Sequence, residues 1–375
     1  MKSSYLKLFF ALIYLIIFNF LFVQANQNDN NKQEELLSDS EEPFVYLKDA
    51  FKDKLTIGSM IAFTELNKDE NFVKNHFDIV SPKYELLPDA ILNLNNSIEK
   101  GNNINPQVEF GYVTKNLLQF CEKNKIPIHG RAFVWYSLTP NWLFRENFRS
   151  NEKLVSKDIM DKRLENFIKN TFALLEKEYP DLKIYSYDIA TEIFLNEGGG
   201  IRKEQESDWV KIYGDDSFVI KAFTYARKYA PKGCKLLFSD YNEYIPEKTN
   251  DIYDIALRLK ELEVIDGIGM ESHLSDTFPS FDNYKIAFDK FCSTGLEIFV
   301  TELEIFANDL DKQCNFYNNL FVLYLENKKN ISGILLYAAN DGWSNMRQSN
   351  SGLFNYNYKP KRSYYCVLEA IDDKE

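Results

Sequence analysis

Two glutamates carry the chemical signal of this sequence. Glu192 closes the run "KIYSYDIATE" and Glu302 lies in "EIFVTELE", each toward the end of a stretch apolar enough to be a buried strand. Two carboxyl groups facing one another across a cleft can cut a glycosidic bond. One stays protonated and hands its proton to the leaving oxygen; the other stays ionised and attacks the sugar carbon or activates water. Position alone does not decide the matter, because acidic residues at strand ends also bind metals and cap helices.

Rival chemistries find little support. The three histidines, His76, His129 and His273, show neither H-x-H nor H-E-x-x-H spacing, so no catalytic metal and no other cofactor is expected. There is no G-x-S-x-G, and the run Gly198-Gly199-Gly200 leads into Ile-Arg instead of Lys-Ser/Thr, which reads as a flexible loop and not a phosphate cradle. Lys plus Arg number 44 against 56 Asp plus Glu, and the net charge of −12 argues against nucleic acid and anionic membranes as partners. A neutral carbohydrate fits that charge, and the 15 % aromatic content supplies faces for stacking as well as core.

The elements that must position these groups alternate along the chain. Strand-like runs are "TIGSMIAF", "FDIVSP", "PIHGRAFVWY", "KIYSYDIATE", "CKLLFSDYN", "VIDGIGMESHL", "EIFVTELE" and "ISGILLYAAN". Between them lie helical stretches such as "VIKAFTYARKYAP" and "KTNDIYDIALRLKELE", the second with Ile252, Ile255, Ala256, Leu259 and Leu262 at helical spacing. Eight such βα units predict an α/β fold of the (β/α)8 TIM-barrel type, a single catalytic domain, and 375 residues exceed the roughly 250 it needs. An open doubly wound sheet is the alternative, but no G-x-G-x-x-G follows an early strand.

A barrel of this kind does its chemistry at the C-terminal ends of its strands. That rule selects Arg131, Trp135 and Tyr136 after the third strand, Thr191 and Glu192 after the fourth, and Asp240, Tyr241 and Asn242 after the fifth. It adds Glu271 and His273 after the sixth, Glu302 and Glu304 after the seventh, and Asn340 and Asp341 after the eighth. Asp188 and Asp266, inside strand ends, read as structural hydrogen-bonding groups.

Residues 1–25 read as a signal peptide: two lysines, a short apolar core and the small-residue site Val23-Gln24-Ala25. A membrane anchor is the rival, but the apolar run falls short of the roughly 20 residues a spanning helix needs. Residues 26–44 form an acidic leader without periodicity, expected to be disordered, and 45–375 the barrel domain. The product is expected to be secreted, free of the membrane after cleavage, and a monomer. Export permits disulfides, yet the five cysteines are an odd number without metal spacing. Cys292 with Cys314 is the pair considered, against five small buried hydrophobes.

At this point the residues resemble glycoside hydrolase family 10, the endo-β-1,4-xylanases, in collinear order over roughly residues 50–370. "YSYDIATEIF" resembles the family's W-D-V-V-N-E-x-F, "IDGIGMESHL" is similar to I-D-G-I-G-x-Q-S-H-L, and "IFVTELEI" to I-x-I-T-E-L-D-I. "LLFSDYNEY" looks like L-x-x-N-D-Y-N, and "GLFNYNYKPKRSYY" like G-L-F-D-x-x-x-x-P-K-P-A-Y. The resemblance implies a retaining β-glycosidase with Glu192 as general acid/base, Glu302 as nucleophile and His273 hydrogen-bonded to that nucleophile. It places Trp135 in the cleft lining and Asn242 near the nucleophile strand, with Tyr136, Tyr241, Tyr337 and Trp343 as candidate stacking or packing rings. The partner it implies is a β-1,4-linked polysaccharide such as xylan or a related glycan.

The departures from the family pattern bear on the substrate. "SPKYELL" stands where the family has S/T-x-E-N-x-M-K, so Lys83, Tyr84 and Leu87 replace Glu, Asn and Lys. Arg131 and Tyr136 stand for two histidines, Leu138 for a glutamine, Glu271 for Gln and Tyr337 for Trp. Thr191 replaces the Asn that, by resemblance, binds the sugar 2-hydroxyl. Arg131 beside Glu192, Glu271 and Glu302 is either a charge partner or a reader of acidic sugars. A barrel that kept the scaffold but binds glycans without cutting them is the alternative function.

Overall fold

The computed structural model describes residues 44–344 and 350–372. The expected signal peptide, nearly all of the expected acidic leader, and residues 345–349 and 373–375 lie outside them. Eight parallel strands close into a barrel: β1 (Ile57–Ile61), β2 (Ile79–Pro82), β3 (Ile128–Gly130), β4 (Ile184–Thr191), β5 (Lys235–Asp240), β6 (Gly267–Met270), β7 (Glu297–Phe306) and β8 (Ile331–Leu336). Closure is direct, since β8 pairs with both β7 and β1. Each strand falls within or around the run that predicted it. A short parallel extension, His273–Ser275, adds to the far end of β7.

These strands are buried on both faces because helices cover the outside and side chains fill the inside. Of the covering helices, α1 (Lys157–Glu178) buries Leu164, Phe167, Ile168, Phe172 and Leu175 along one stripe. In α2 (Ser217–Tyr229) the same role falls to Phe218, Val219, Ala222, Phe223 and Ala226. A third, α3 (Pro246–Glu261), starts on a proline whose missing N–H is no loss at a first turn, and buries Ile252, Ile255, Ala256 and Leu259. Each such aliphatic side chain contributes on the order of 1.5–3 kcal/mol by leaving water. Gly130 ends β3 because nothing larger fits: a Cβ there would lie 2.2 Å from the Tyr187 ring. That close approach sets where Arg131 leaves the strand.

The helices α4 (Leu310–Glu326) and α5 (Arg362–Asp372) are joined by the disulfide Cys314–Cys366, with Cα atoms 5.5 Å apart. The expected pairing of Cys314 with Cys292 is therefore corrected. A disulfide needs its Cα atoms within about 7 Å, and helix packing, not proximity in sequence, brings Cys366 to Cys314. Cys292 is a free thiol, and Cys121 and Cys234 are the buried hydrophobes of the other reading. Two strand-end acids are structural as expected. Asp188 pairs with His129 at 3.2 Å, and Asp266 pairs with Arg227 and accepts from the Leu236 amide, both at 2.8 Å. Among the described residues no helix is long and apolar enough to cross a membrane.

Candidate active site

The barrel mouth is built where the sheet register breaks. The β4–β5 ladder shifts between Asp188 and Ala190, and the β7–β8 ladder between Val300 and Leu303. Such irregularities re-aim side chains at the rim of a barrel, and each lies within a few residues of one of the two glutamates. Glu192 follows β4 with φ of +53°, left-handed for a residue with a Cβ, while its amide donates to the Ser239 carbonyl at 3.2 Å. A backbone held in that region costs energy and persists only where its surroundings enforce it.

Glu302 is 4 % exposed and stands between two cations. A guanidinium nitrogen of Arg131 lies 2.7 Å from its Oε1, and His273 Nε2 lies 3.4 Å from its Oε2. Arg131 is thus the charge partner of the two readings left open. Its approach is an ion pair by distance and not an aligned hydrogen bond. Burial alone would raise the Glu302 pKa, but Arg131 and His273 outweigh it and hold the carboxyl below its ordinary value. His273 itself is fixed from behind, its Nδ1 2.7 Å from Glu304 Oε1. Burial opposes charge on the ring, but hydrogen bonds to Glu302 and Glu304 prevail, so its pKa lies well above the ordinary imidazole value.

Glu192 has the opposite environment. Burial, then repulsion from Asp240 and, more weakly, from Glu302, pushes its pKa up to about 7. The nearest cation is Arg202, 3.8 Å from Oε2, whose Nε donates to the Glu192 carbonyl at 2.7 Å. Arg202 also lies 3.7 Å over the Tyr136 ring and donates to the Tyr241 hydroxyl at 3.0 Å, so both tyrosines line the Glu192 side of the mouth. Asp240 is answered by Lys248, 2.7 Å away and wholly buried on α3.

The remaining predicted residues fall as follows. Trp135 is half-buried, with Arg131 5.7 Å from its ring. Asn242, at φ +53°, donates to the Asn196 carbonyl and accepts from Tyr244, whose hydroxyl also donates to the His273 carbonyl. It braces the loops around the site through these bonds. Tyr337 packs its ring edge-on to His273 and lies 4.3 Å below the Lys83 ammonium. Trp343 differs from the stacking role considered for it. Its ring is 2 % exposed and packed edge-on against Phe72 and Tyr358, so it is wall. Thr191 is 0 % exposed; its hydroxyl accepts from Ser239 at 3.0 Å and donates to Glu271 at 2.7 Å. After the second strand Lys83 donates to the Trp343 carbonyl at 2.5 Å, with Glu65 3.7 Å away, while Leu87 is buried and Tyr84 exposed.

Two functional neighbours escaped the sequence reading, and of a third only the role did. Arg202 comes from the loop after the glycine run and Lys248 from a helix, neither at a strand end. Glu304 was selected by position, but nothing in the sequence showed that it anchors His273. Glu271, His273 and Glu302 each place one donor atom within 4.8 Å of the others, the only such group among the described residues. Within this group Glu302 already has Arg131 2.7 Å and His273 3.4 Å away, so its carboxylate sits in a network of ion pairs.

The model of glycosyl hydrolase family 10 matches residues 46–370 of the chain. The chain belongs to that family. Over 322 residues it is 49 % identical to the bifunctional endo-1,4-beta-xylanase XylA of Ruminococcus flavefaciens, covering 86 % of this chain and 34 % of that protein. Endo-1,4-beta-xylanase Y of Acetivibrio thermocellus is 34 % identical over 355 residues, 88 % of this chain and 32 % of that protein. The chain thus spans about a third of these two relatives. Among solved structures, the family 10 xylanase 10B of Clostridium thermocellum with xylohexaose superposes with a TM-score of 0.81 at 32 % identity, covering 87 % of this chain and 67 % of that one.

Proposed function

We propose that this family 10 member is a secreted retaining endo-1,4-β-xylanase that works by double displacement. The observation that carries the reading is the contrast between two carboxyls at one barrel mouth. Glu302 is held ionised by Arg131 and His273, whereas Glu192 is pushed up to about 7 by burial and by Asp240. Environments that drive two carboxyl groups apart in this way assign a nucleophile and an acid. Glu302 attacks the anomeric carbon while Glu192 protonates the departing oxygen. Glu192, now ionised, takes a proton from the water that displaces Glu302, returning both groups to their starting states.

Xylan as substrate rests on the relatives' names and on the xylohexaose-bound neighbour. Secretion rests on the N-terminal apolar run and on the Cys314–Cys366 disulfide, a bond that persists in oxidising compartments. The test is digestion of xylan and a panel of β-linked oligosaccharides, with products read by mass spectrometry and anomeric configuration by NMR, and Glu302→Ala as the blank. Retained configuration and a rate loss of several orders of magnitude in the blank are expected. Inverted products, or cleavage that survives in Glu302→Ala, refute the mechanism. Binding without cleavage of any glycan leaves the silent barrel as the function.

A further inference from the structure

Thr191 occupies the position from which, by resemblance, a side-chain amide reads the sugar hydroxyl beside the reacting carbon. In this chain it cannot do so. Its single hydroxyl proton is donated to Glu271, its oxygen accepts from Ser239, and the residue has no exposed surface. The carboxyl that Thr191 donates to stands on the same side of the site as the nucleophile. One oxygen of Glu271, one of Glu302 and a ring nitrogen of His273 lie within 4.8 Å of one another. A hydroxyl oxygen can hydrogen-bond to two groups about 5.4 Å apart or closer, since each bond spans roughly 2.7 Å. Glu271 and Glu302 are 1 % and 4 % exposed, as befits two groups on the floor of one cleft.

Resting on the proposed function above, we propose that Glu271 donates a carboxylic-acid O–H to the hydroxyl adjacent to the carbon that Glu302 attacks, taking over the reading role that Thr191 has lost. The chemistry is consistent from each side. Thr191 donates to Oε1, which leaves Oε2 to carry the proton. His273 Nε2 lies 3.9 Å from Oε2, beyond hydrogen-bond reach. The charged groups that face Glu271 are Glu302 and Glu192, opposed by His273 and Arg131; burial and then the two carboxylates prevail and keep Glu271 protonated well above the ordinary range. A neutral acid presents the same donor-plus-acceptor pattern as the glutamine that stands here in the resembling family, until pH rises far enough to ionise it.

The probes are 4-nitrophenyl β-xylobioside and its analogue lacking the 2-hydroxyl on the sugar next to the bond cut. The wild type should prefer the hydroxylated compound in kcat/KM by about 10²–10³, the scale of removing one oriented donor. Glu271→Ala should lower that preference at least tenfold, whereas Glu271→Gln, whose amide still donates, should keep it and extend it to higher pH. An unchanged preference in a folded Glu271→Ala overturns the proposal. Labelling of Glu302 by a 2-fluoro xyloside reports the retaining mechanism separately, because that inhibitor lacks the hydroxyl in question. Should the wild type neither label nor turn over, infrared spectroscopy still decides. A protonated-carboxyl band at neutral pH that Glu271→Gln removes supports the proposal; a spectrum that Glu271→Gln leaves unchanged overturns it.

Discussion

Replacing Arg131 by methionine removes the cation 2.7 Å from Glu302, the proposed nucleophile, while keeping much of the side-chain volume. Charge centres about 4 Å apart at an effective dielectric near 20 interact by about 4 kcal/mol. At about 1.4 kcal/mol per pKa unit this sets a ceiling of about three units on the rise in the Glu302 pKa. His273 remains as a second cation, and one opposite charge ordinarily shifts a carboxyl by about one to three units, so a rise of about two is expected. Glu302 acts ionised, so activity is lost as pH falls through its pKa. The acid limb of kcat/KM should therefore move up by about two pH units in Arg131→Met and stay near the wild-type position in Arg131→Lys. A buried carboxylate left short of a partner also destabilises the fold, by up to about 3–5 kcal/mol, and that loss should shrink at low pH where Glu302 protonates. The assay is a pH series of aryl xylobioside hydrolysis beside thermal melts. An acid limb that stays in place in a folded Arg131→Met would refute the assignment of Arg131 as the group that keeps Glu302 ionised.

Three further outcomes are expected. As the proposed acid, Glu192 should donate its proton only below about pH 7, so kcat/KM should fall as pH rises through that value, and Glu192→Gln should cost about 10²–10⁴ and abolish the limb; pH-rate profiles check it. Stability should fall between about pH 4.5 and 7, because Glu192 and Glu243, both raised from 4.5 to about 7 with burial as the leading cause, keep protons in the folded state that the unfolded chain has released. Each contributes on the order of 3 kcal/mol below that window, and Glu243→Gln should flatten the dependence of melting temperature on pH. Reducing Cys314–Cys366, which spans 52 residues, should cost about 4 kcal/mol in the chain-entropy account, and a melt with and without reductant measures it.

The sequence by itself determined the strands, the barrel and the two glutamates. Buried parallel strands are near-continuous apolar runs, and a carboxylate at the end of such a run, as in "KIYSYDIATE", has only the barrel mouth to point into. The spacing of Ile252, Ile255, Ala256 and Leu259 likewise fixed which face of α3 packs inward, whereas Leu262, part of the same pattern, falls just past the helix end and is exposed. What sequence order does not encode is which distant groups converge. That Arg202 and Lys248 answer the charges of Glu192 and Asp240, that Glu304 holds His273, and that Cys366 meets Cys314 are consequences of how loops and helices close over the barrel. Thr191 shows the division most plainly. The sequence revealed that an amide was missing at that position, but only the folded chain shows its hydroxyl bonded to both Ser239 and Glu271. Hydrogen bonding and charge depend on separations of a few ångströms, and between residues as far apart in the chain as 191 and 271 the tertiary structure sets them.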